Sequence, residues 1–349
     1  YNYKNYYIMS ENKSIQLGLC CMNTILSSKK PPIMSSRSVV LKTLETKGFE
    51  PLKEKIIQNL KDTLVMMDWN EQNGIKVFRL SSELFPHYSN SKADKYEIDF
   101  ALDLLKQIGE KSKKYNQRIT FHPGQYNVIG TPTKSAFEHT INDLKYHCDI
   151  LNLMGLDKNS VVVIHGGGVY GDKKKTIERW CKQFYELPEN VQKRLVLENC
   201  EKNFSIEDCL EVSEKVNIPV VFDTHHFECY KLLHKEEKFN PPDEYIHAVL
   251  ETWWKRDIKP KFHVSEQGSG KIGHHSDFIE EIPDYLLEIP EKFGCNIDIM
   301  IEAKLKEQAI FKLYEKYTFL NCKREKKILP LNIKAMEWAH RGYYDCDCC

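Results

Sequence analysis

Apolar runs of four to six residues recur along the chain, each followed by a longer stretch with apolar positions at helical spacing. The first run is Ile15-Gln16-Leu17-Gly18-Leu19-Cys20, and a polar segment with Pro and Lys follows from Ser27 to Arg37. Leu52 to Trp69 places Ile56, Ile57, Leu60, Leu64 and Met67 on one face and predicts a helix. Further strands are expected at 75–80, 118–122, 161–165, 195–199, 220–223, 260–265 and 297–302. Helices are expected at 97–115, 136–154, 174–186, 206–216, 243–255, 277–287 and 307–317, and the last residues are expected to be irregular. Eight strands separated by helices, without hairpin turns, predict a parallel sheet. The repeat matches an α/β fold of the (β/α)8 TIM-barrel type, in one domain. A doubly wound open sheet is the alternative, but no Gly-rich phosphate fingerprint follows the first strand.

The polar residues that end these strands carry the chemistry. The third strand runs into Phe121-His122-Pro123-Gly124-Gln125-Tyr126, where Pro123 and Gly124 must turn the chain. The following strands end at His165, Glu198, Asp223 and His263, and the eighth ends at Glu302. In a barrel these ends meet at one rim. His226 follows Asp223 by three residues, and His275 lies in the loop after the seventh strand. His225 competes with His226, and His274 with His275; the second of each pair is preferred. His139, His147, His234 and His247 fall on or beside helices and are set aside. His165 is followed by Gly166-Gly167-Gly168, which could cradle phosphate or let a nucleic-acid backbone approach closely.

Five imidazoles and three carboxylates exceed the needs of one ion and imply two or three. A mixed nitrogen and oxygen set without thiolate favours Mn²⁺ or Zn²⁺, and clustered divalent ions suit phosphoester hydrolysis. Lys261 shares its strand face with His263, so its ammonium would point toward the ions. It must be neutral, touch a phosphate, or become a carbamate. Lys304 stands beyond the eighth strand, where it can contact backbone phosphate. Gln125 and Tyr126 form an exposed pair able to wedge into a base stack.

Composition adds limits. Lys+Arg and Asp+Glu are both 50, so no bulk positive field advertises nucleic acid. No apolar run approaches the roughly 20 residues of a membrane span. The 12 cysteines are scattered and read as reduced thiols, which with the absence of a signal-like start predicts an intracellular, non-secreted protein. Residues 1–14 are expected to be a disordered lead-in, 15–320 the barrel, and 321–349 an extension. Its basic run, Lys323 to Lys327, is expected to be solvated, and Cys346, Cys348 and Cys349 to form a frayed tail rather than a soft-metal site.

The chain resembles the UV damage endonucleases. The matching segments are Leu17-Gly18 with Asn23-Thr24, Phe78-Arg79-Leu80-Ser81-Ser82-Glu83-Leu84-Phe85-Pro86, Phe121 to Tyr126, Ile164-His165-Gly166-Gly167 and Leu197-Glu198-Asn199. They continue with Phe222-Asp223-Thr224-His225-His226, Lys261-Phe262-His263-Val264-Ser265, His275-Ser276-Asp277 and Met300-Ile301-Glu302-Ala303-Lys304. The resemblance leaves out residues 1–14 and about 325–349. It implies a barrel related to endonuclease IV that holds up to three Mn²⁺ ions, with Zn²⁺ or Mg²⁺ as alternatives. It implies ATP-independent incision of damaged duplex DNA immediately 5′ to cyclobutane dimers and (6-4) photoproducts, with abasic sites also cut. The product ends are a 3′-hydroxyl and a 5′-phosphate, and the enzyme is expected to be a monomer. The implied ligands are His122, His165, Glu198, Asp223, His226, His263, His275 and Glu302, with His122, Glu302 and Lys261 in catalysis. Lys261 matches a lysine that can be carboxylated. Gln125 and Tyr126 match a pair that probes the duplex opposite the lesion, and Asn23 a polar residue on the lesion side. Leu19 departs from the pattern, since some members carry a tyrosine there. Rival readings are an abasic-site endonuclease, a sugar isomerase or epimerase on the same barrel, and a silent damage-binding protein.

Overall fold

A computed structural model describes residues 14–321 and 329–340. The expected lead-in up to residue 13, the Lys323–Lys327 run and the terminal cysteines lie outside the described residues.

Eight short parallel strands form, close to where the hydrophobic pattern placed them. They are β1 (Ile15–Cys20), β2 (Val77–Arg79), β3 (Arg118–Thr120), β4 (Val162–His165), β5 (Leu195–Glu198), β6 (Val220–Val221), β7 (Lys261–Val264) and β8 (Ile297–Ile301). Continuous pairing gives two arcs, β3-β2-β1-β8-β7 and β4-β5-β6. Two single bridges span the seams, Phe121 to Val162 and Asp223 to His263. At the first, Phe121 N donates to Val161 O at 3.1 Å and Val163 N to Phe121 O at 2.9 Å. At the second, His263 N donates to Phe222 O at 3.1 Å. Both seams therefore lie beside residues of the polar rim.

Alternation along the strands sorts the interior into layers. Ile297, Ile299 and Ile301 share the face opposite to Asp298 and Met300, and all are buried. At the bottom, Asp298 accepts from Arg118 Nη1 at 2.8 Å and pairs with Lys259. Arg79, Thr120 and Lys261 are fully buried above it. The histidines and carboxylates stand highest.

Helices cover the outside, with several differences from the sequence pattern. The expected helix at 277–287 is reduced to Asp284–Leu287 and Ile289–Phe293. Pro283 interrupts it, and the chain before it instead accepts Lys304 N at Ser276 O (2.9 Å) and Leu305 N at Asp277 O (3.1 Å). Leu41–Lys47 and Thr224–Leu233 are helices that were not expected. The end of the chain, expected to be irregular, contains a helix at Ile333–His340. It buries Ala335 and Ala339 and is tied down where Gln308 Oε1 accepts Asn332 N at 2.7 Å.

Candidate metal centre

Glu198, at the end of β5, is the hub of the rim and is fully buried. Its Oε2 lies 2.9 Å from His122 Nε2 and 4.0 Å from His165 Nε2. Its Oε1 lies 2.8 Å from His263 Nδ1 and 3.5 Å from His226 Nδ1. Three groups result whose ligand atoms all lie within 4.8 Å of one another: His122-Glu198-His263, His165-Glu198-His226 and Asp223-His263-Glu302. Seven of the eight expected ligands thus come together. His275 is buried next to them, its ring 5.7 Å from that of His225 and 6.5 Å from that of His226.

Local structure aims these side chains. His122 Nδ1 lies 3.2 Å from Pro123 O, which turns Nε2 toward the centre. Asp223 caps the Thr224–Leu233 helix: its Oδ1 accepts His226 N at 2.7 Å, so one contact places two expected ligands. Asn199 pins Asp223 from the other side, accepting its N–H at 2.8 Å and donating to its carbonyl at 3.0 Å. His226 Nδ1 lies 3.0 Å from Asn199 O. The neighbouring His225 is turned away, held by Ser265 Oγ at 3.1 Å and by Gln267 Oε1 and Cys229 Sγ, both at 3.2 Å. His274 is exposed and His275 is buried. Gly166 allows the chain after His165 to pass against the Phe204 ring, since a Cβ there would lie 2.2 Å from it.

The electrostatics follow from burying many ionisable groups together. Burial lowers His165 to about 4 and His263 to about 3, so both are neutral donors at physiological pH. Burial raises Asp223 to about 7. Burial also acts against the Glu198 carboxylate, but His263, His165 and His122 outweigh it and hold Glu198 well below the usual range. Burial opposes the charged form of His226 as well, but Asp223 and Glu198 raise it well above its ordinary value. Lys261 lies with Nζ 3.5 Å from Thr120 Oγ1, and burial, then the Arg79 and Arg118 cations, lowers it to about 7.

The donors fit a divalent cation. Asp223 Oδ2 and His165 Nδ1 are buried without a hydrogen-bond partner among the described residues. Such atoms are costly unless something else engages them. Imidazole and carboxylate without thiolate suit Mn²⁺ or Zn²⁺.

Sequence reasoning missed two residues here. Arg79 is fully buried, donates to Glu302 Oε1, and has Nη2 3.2 Å from His263 Nε2. Its place on β2 gives an inward parity that could have flagged it. Asn199 left no comparable signal, because its role depends on β5 and β6 lying side by side.

The expected lesion-side residues occupy two kinds of place. Gln125 and Lys304 are exposed, and Tyr126 is 67% exposed. Asn23 is fully buried; its Oδ1 accepts Leu26 N at 2.8 Å, while Nδ2 has no partner among the described residues.

Comparisons with known proteins converge on one family. The sequence pattern of "UV-endonuclease UvdE" matches residues 15–338, which takes in most of the Ile333–His340 helix that the resemblance had left out. A protein of Acanthamoeba polyphaga mimivirus is 37% identical over 308 residues, covering 87% of this chain and 91% of its own length. The UV-damage endonuclease of Schizosaccharomyces pombe is 36% identical over 345 residues, covering 94% of this chain; the chain spans about half of that relative, 54%. The crystal structure of SacUVDE superposes with a TM-score of 0.74 at 29% identity, covering 88% of this chain and all of that one, 100%. Endonuclease IV from Thermus thermophilus, at 15% identity and a TM-score of 0.50 over 74% of this chain and 94% of its own, shares the TIM-barrel fold. The chain belongs to the UV-endonuclease UvdE family.

Proposed function

We propose that this chain is a metal-dependent, ATP-independent endonuclease that cuts duplex DNA immediately 5′ to ultraviolet photoproducts. Cyclobutane pyrimidine dimers and (6-4) photoproducts are the substrates, abasic sites are cut as well, and the ends left are a 3′-hydroxyl and a 5′-phosphate. The observation that carries this reading is the sharing of Glu198 and His263 among three ligand groups at the rim, with exposed Tyr126 four residues beyond the expected ligand His122. A small-molecule isomerase would have no use for an exposed aromatic beside its metal ligands.

His122, His165, Glu198, Asp223, His226, His263 and Glu302 would hold the ions, with His275 completing the set. Divalent ions there supply Lewis-acid polarisation of the scissile phosphate and lower the pKa of water. The chain's own residues orient and exclude. Pro123 O and Asn199 fix the ligand geometry, and Lys261, with its pKa near 7, can lie neutral beneath the ions or accept carboxylation. A damaged dinucleotide is poorly stacked and costs less to extrude than an intact pair. Gln125 and Tyr126 fill the gap left in the duplex, and Lys304 reaches backbone phosphate. Mn²⁺ is the ion assigned, and the protein acts as a monomer inside the cell, where DNA is.

The test is incision of one duplex oligonucleotide, irradiated or not, with Mn²⁺ or with chelator. A cut 5′ to the lesion, only in the irradiated duplex and only with metal, is expected. His122→Ala should abolish incision while lesion binding survives. Metal-independent cutting, or wild-type incision by that variant in saturating Mn²⁺, would refute the proposal.

A further inference from the structure

Tyr126 is a large aromatic left mostly in solvent at the tip of a loop, yet the loop beneath it is tightly built. Asn127, only 2% exposed, bonds twice to Gly124 O: through its backbone N–H at 3.0 Å and its side-chain Nδ2 at 3.1 Å. The same Nδ2 donates to Asp143 Oδ2 at 2.8 Å. Asp143 lies on the Lys134–Leu153 helix and is 4% exposed. The Tyr126 hydroxyl stands 3.5 Å from that same Oδ2. Asp143 Oδ1 accepts Ser89 Oγ, from the segment that follows β2. One turn earlier on the helix, Thr140 Oγ1 accepts Val128 N at 3.0 Å. One turn later, His147 Nδ1 bonds to Asp143 O at 2.7 Å, and its ring meets the Phe121 ring edge-on at 4.9 Å. No Lys or Arg pairs with Asp143 among the described residues. A buried carboxylate supported by neutral donors is expensive to keep. Its Oδ2 meets both Asn127 and Tyr126 of one short turn.

We infer that Asp143 is a positioning residue for lesion recognition: it holds the Gly124–Asn127 turn, and through it Tyr126, in the conformation that meets the duplex before DNA arrives. The inference rests on the reading of Tyr126 as the duplex probe. The physical reason is preorganisation. A wedge that is mobile in the free protein must be ordered on binding, and that ordering reduces affinity. Gly124 belongs to the same construction, because the Tyr126 ring folds back over it: a Cβ at 124 would lie 2.6 Å from Tyr126 Cε1. The carboxylate therefore acts on a surface side chain from below, without facing the metal ligands.

The experiment uses the full chain loaded with Mn²⁺. It compares binding to a duplex carrying one thymine photodimer with binding to the same duplex undamaged. Asp143→Leu should lower the preference for damaged duplex about tenfold, the scale of one buried charge-assisted hydrogen bond. It should also speed amide exchange at Asn127 and Val128, and leave the Mn²⁺ content as in the wild type. Asp143→Asn keeps an acceptor for Asn127 and should restore most of the preference. Asn127→Ala removes the same link from the other end and should reproduce the loss if Asp143→Leu does not fold. In a Tyr126→Ala background, Asp143→Leu should cause no further loss of preference. An unchanged preference in both Asp143→Leu and Asn127→Ala, or a full extra loss in the Tyr126→Ala background, would overturn the inference. If the wild type itself shows no preference, the proposed function fails instead, and amide exchange alone decides whether Asp143 holds the turn.

Discussion

Replacing Glu198 by Gln changes one atom and removes one negative charge from the middle of the rim. Shape is kept, so the effect comes from the charge and from the loss of one acceptor oxygen. Glu198 is fully buried and meets four histidines, with His122 Nε2 at 2.9 Å and His263 Nδ1 at 2.8 Å as the nearest contacts. It belongs to two of the three ligand groups, and each of its oxygens faces one histidine of each. Removing one partner of a buried ionic cluster typically costs about 3–5 kcal/mol. Applied to a bound cation, that is roughly two to four orders of magnitude in affinity. The amide also presents an N–H₂ donor where an acceptor is needed, which blocks one of the two coordination directions. The assay is Mn²⁺ per protein after equilibrium dialysis at a series of free metal concentrations. Glu198→Gln should lose more than one site together, whereas His165→Ala, which belongs to one group only, should weaken one site and spare the rest. A Glu198→Gln protein that keeps the wild-type metal content across the series would refute the placing of Glu198 as the shared ligand.

Two further outcomes follow from the buried charges. Asp298 has its pKa raised by burial but lowered more strongly by Lys259 and Arg118, so its folded value lies below 3.8. The unfolded chain then binds more protons as pH falls below 3.8, and the stability that Asp298 contributes at neutral pH is lost progressively in that acid range. Asp298→Asn should lower stability at pH 7 by about 3–5 kcal/mol and flatten this acid loss, as read from urea unfolding at stepped pH; an unchanged acid profile would count against it. Arg79→Met should lower the melting temperature of metal-free protein, because Glu302 loses its buried cation. Added Mn²⁺ should recover most of the loss by neutralising the same carboxylate, and a deficit that metal leaves untouched would show that Arg79 acts elsewhere.

The eight strands were legible because short apolar runs between helical stretches are local properties of the chain. So was the gathering of His122, His165, Glu198, Asp223, His263 and Glu302: each lies at or near the end of a strand, and parallel strands bring their ends to one rim. Local grammar failed at 277–287, where helical spacing was overruled by Pro283 and the backbone bonds to Lys304 and Leu305. It failed again at Ile333–His340, a short helix whose stability comes from docking rather than from its own sequence.

What the chain by itself determined, then, is which residues face inward and at what height, since side-chain parity on a strand needs no knowledge of its neighbours. Only the tertiary structure decided their partners. It turned His226 inward and bound His225 to Ser265 and Gln267. It set Arg79 against Glu302 and Asn199 against Asp223, and it put Asp143 beneath Tyr126. Each of these pairs joins residues from different elements, and 223 residues separate Arg79 from Glu302 along the chain. Contacts of that kind depend on how the barrel closes, and closure is a property of all eight strands together, not of any one of them.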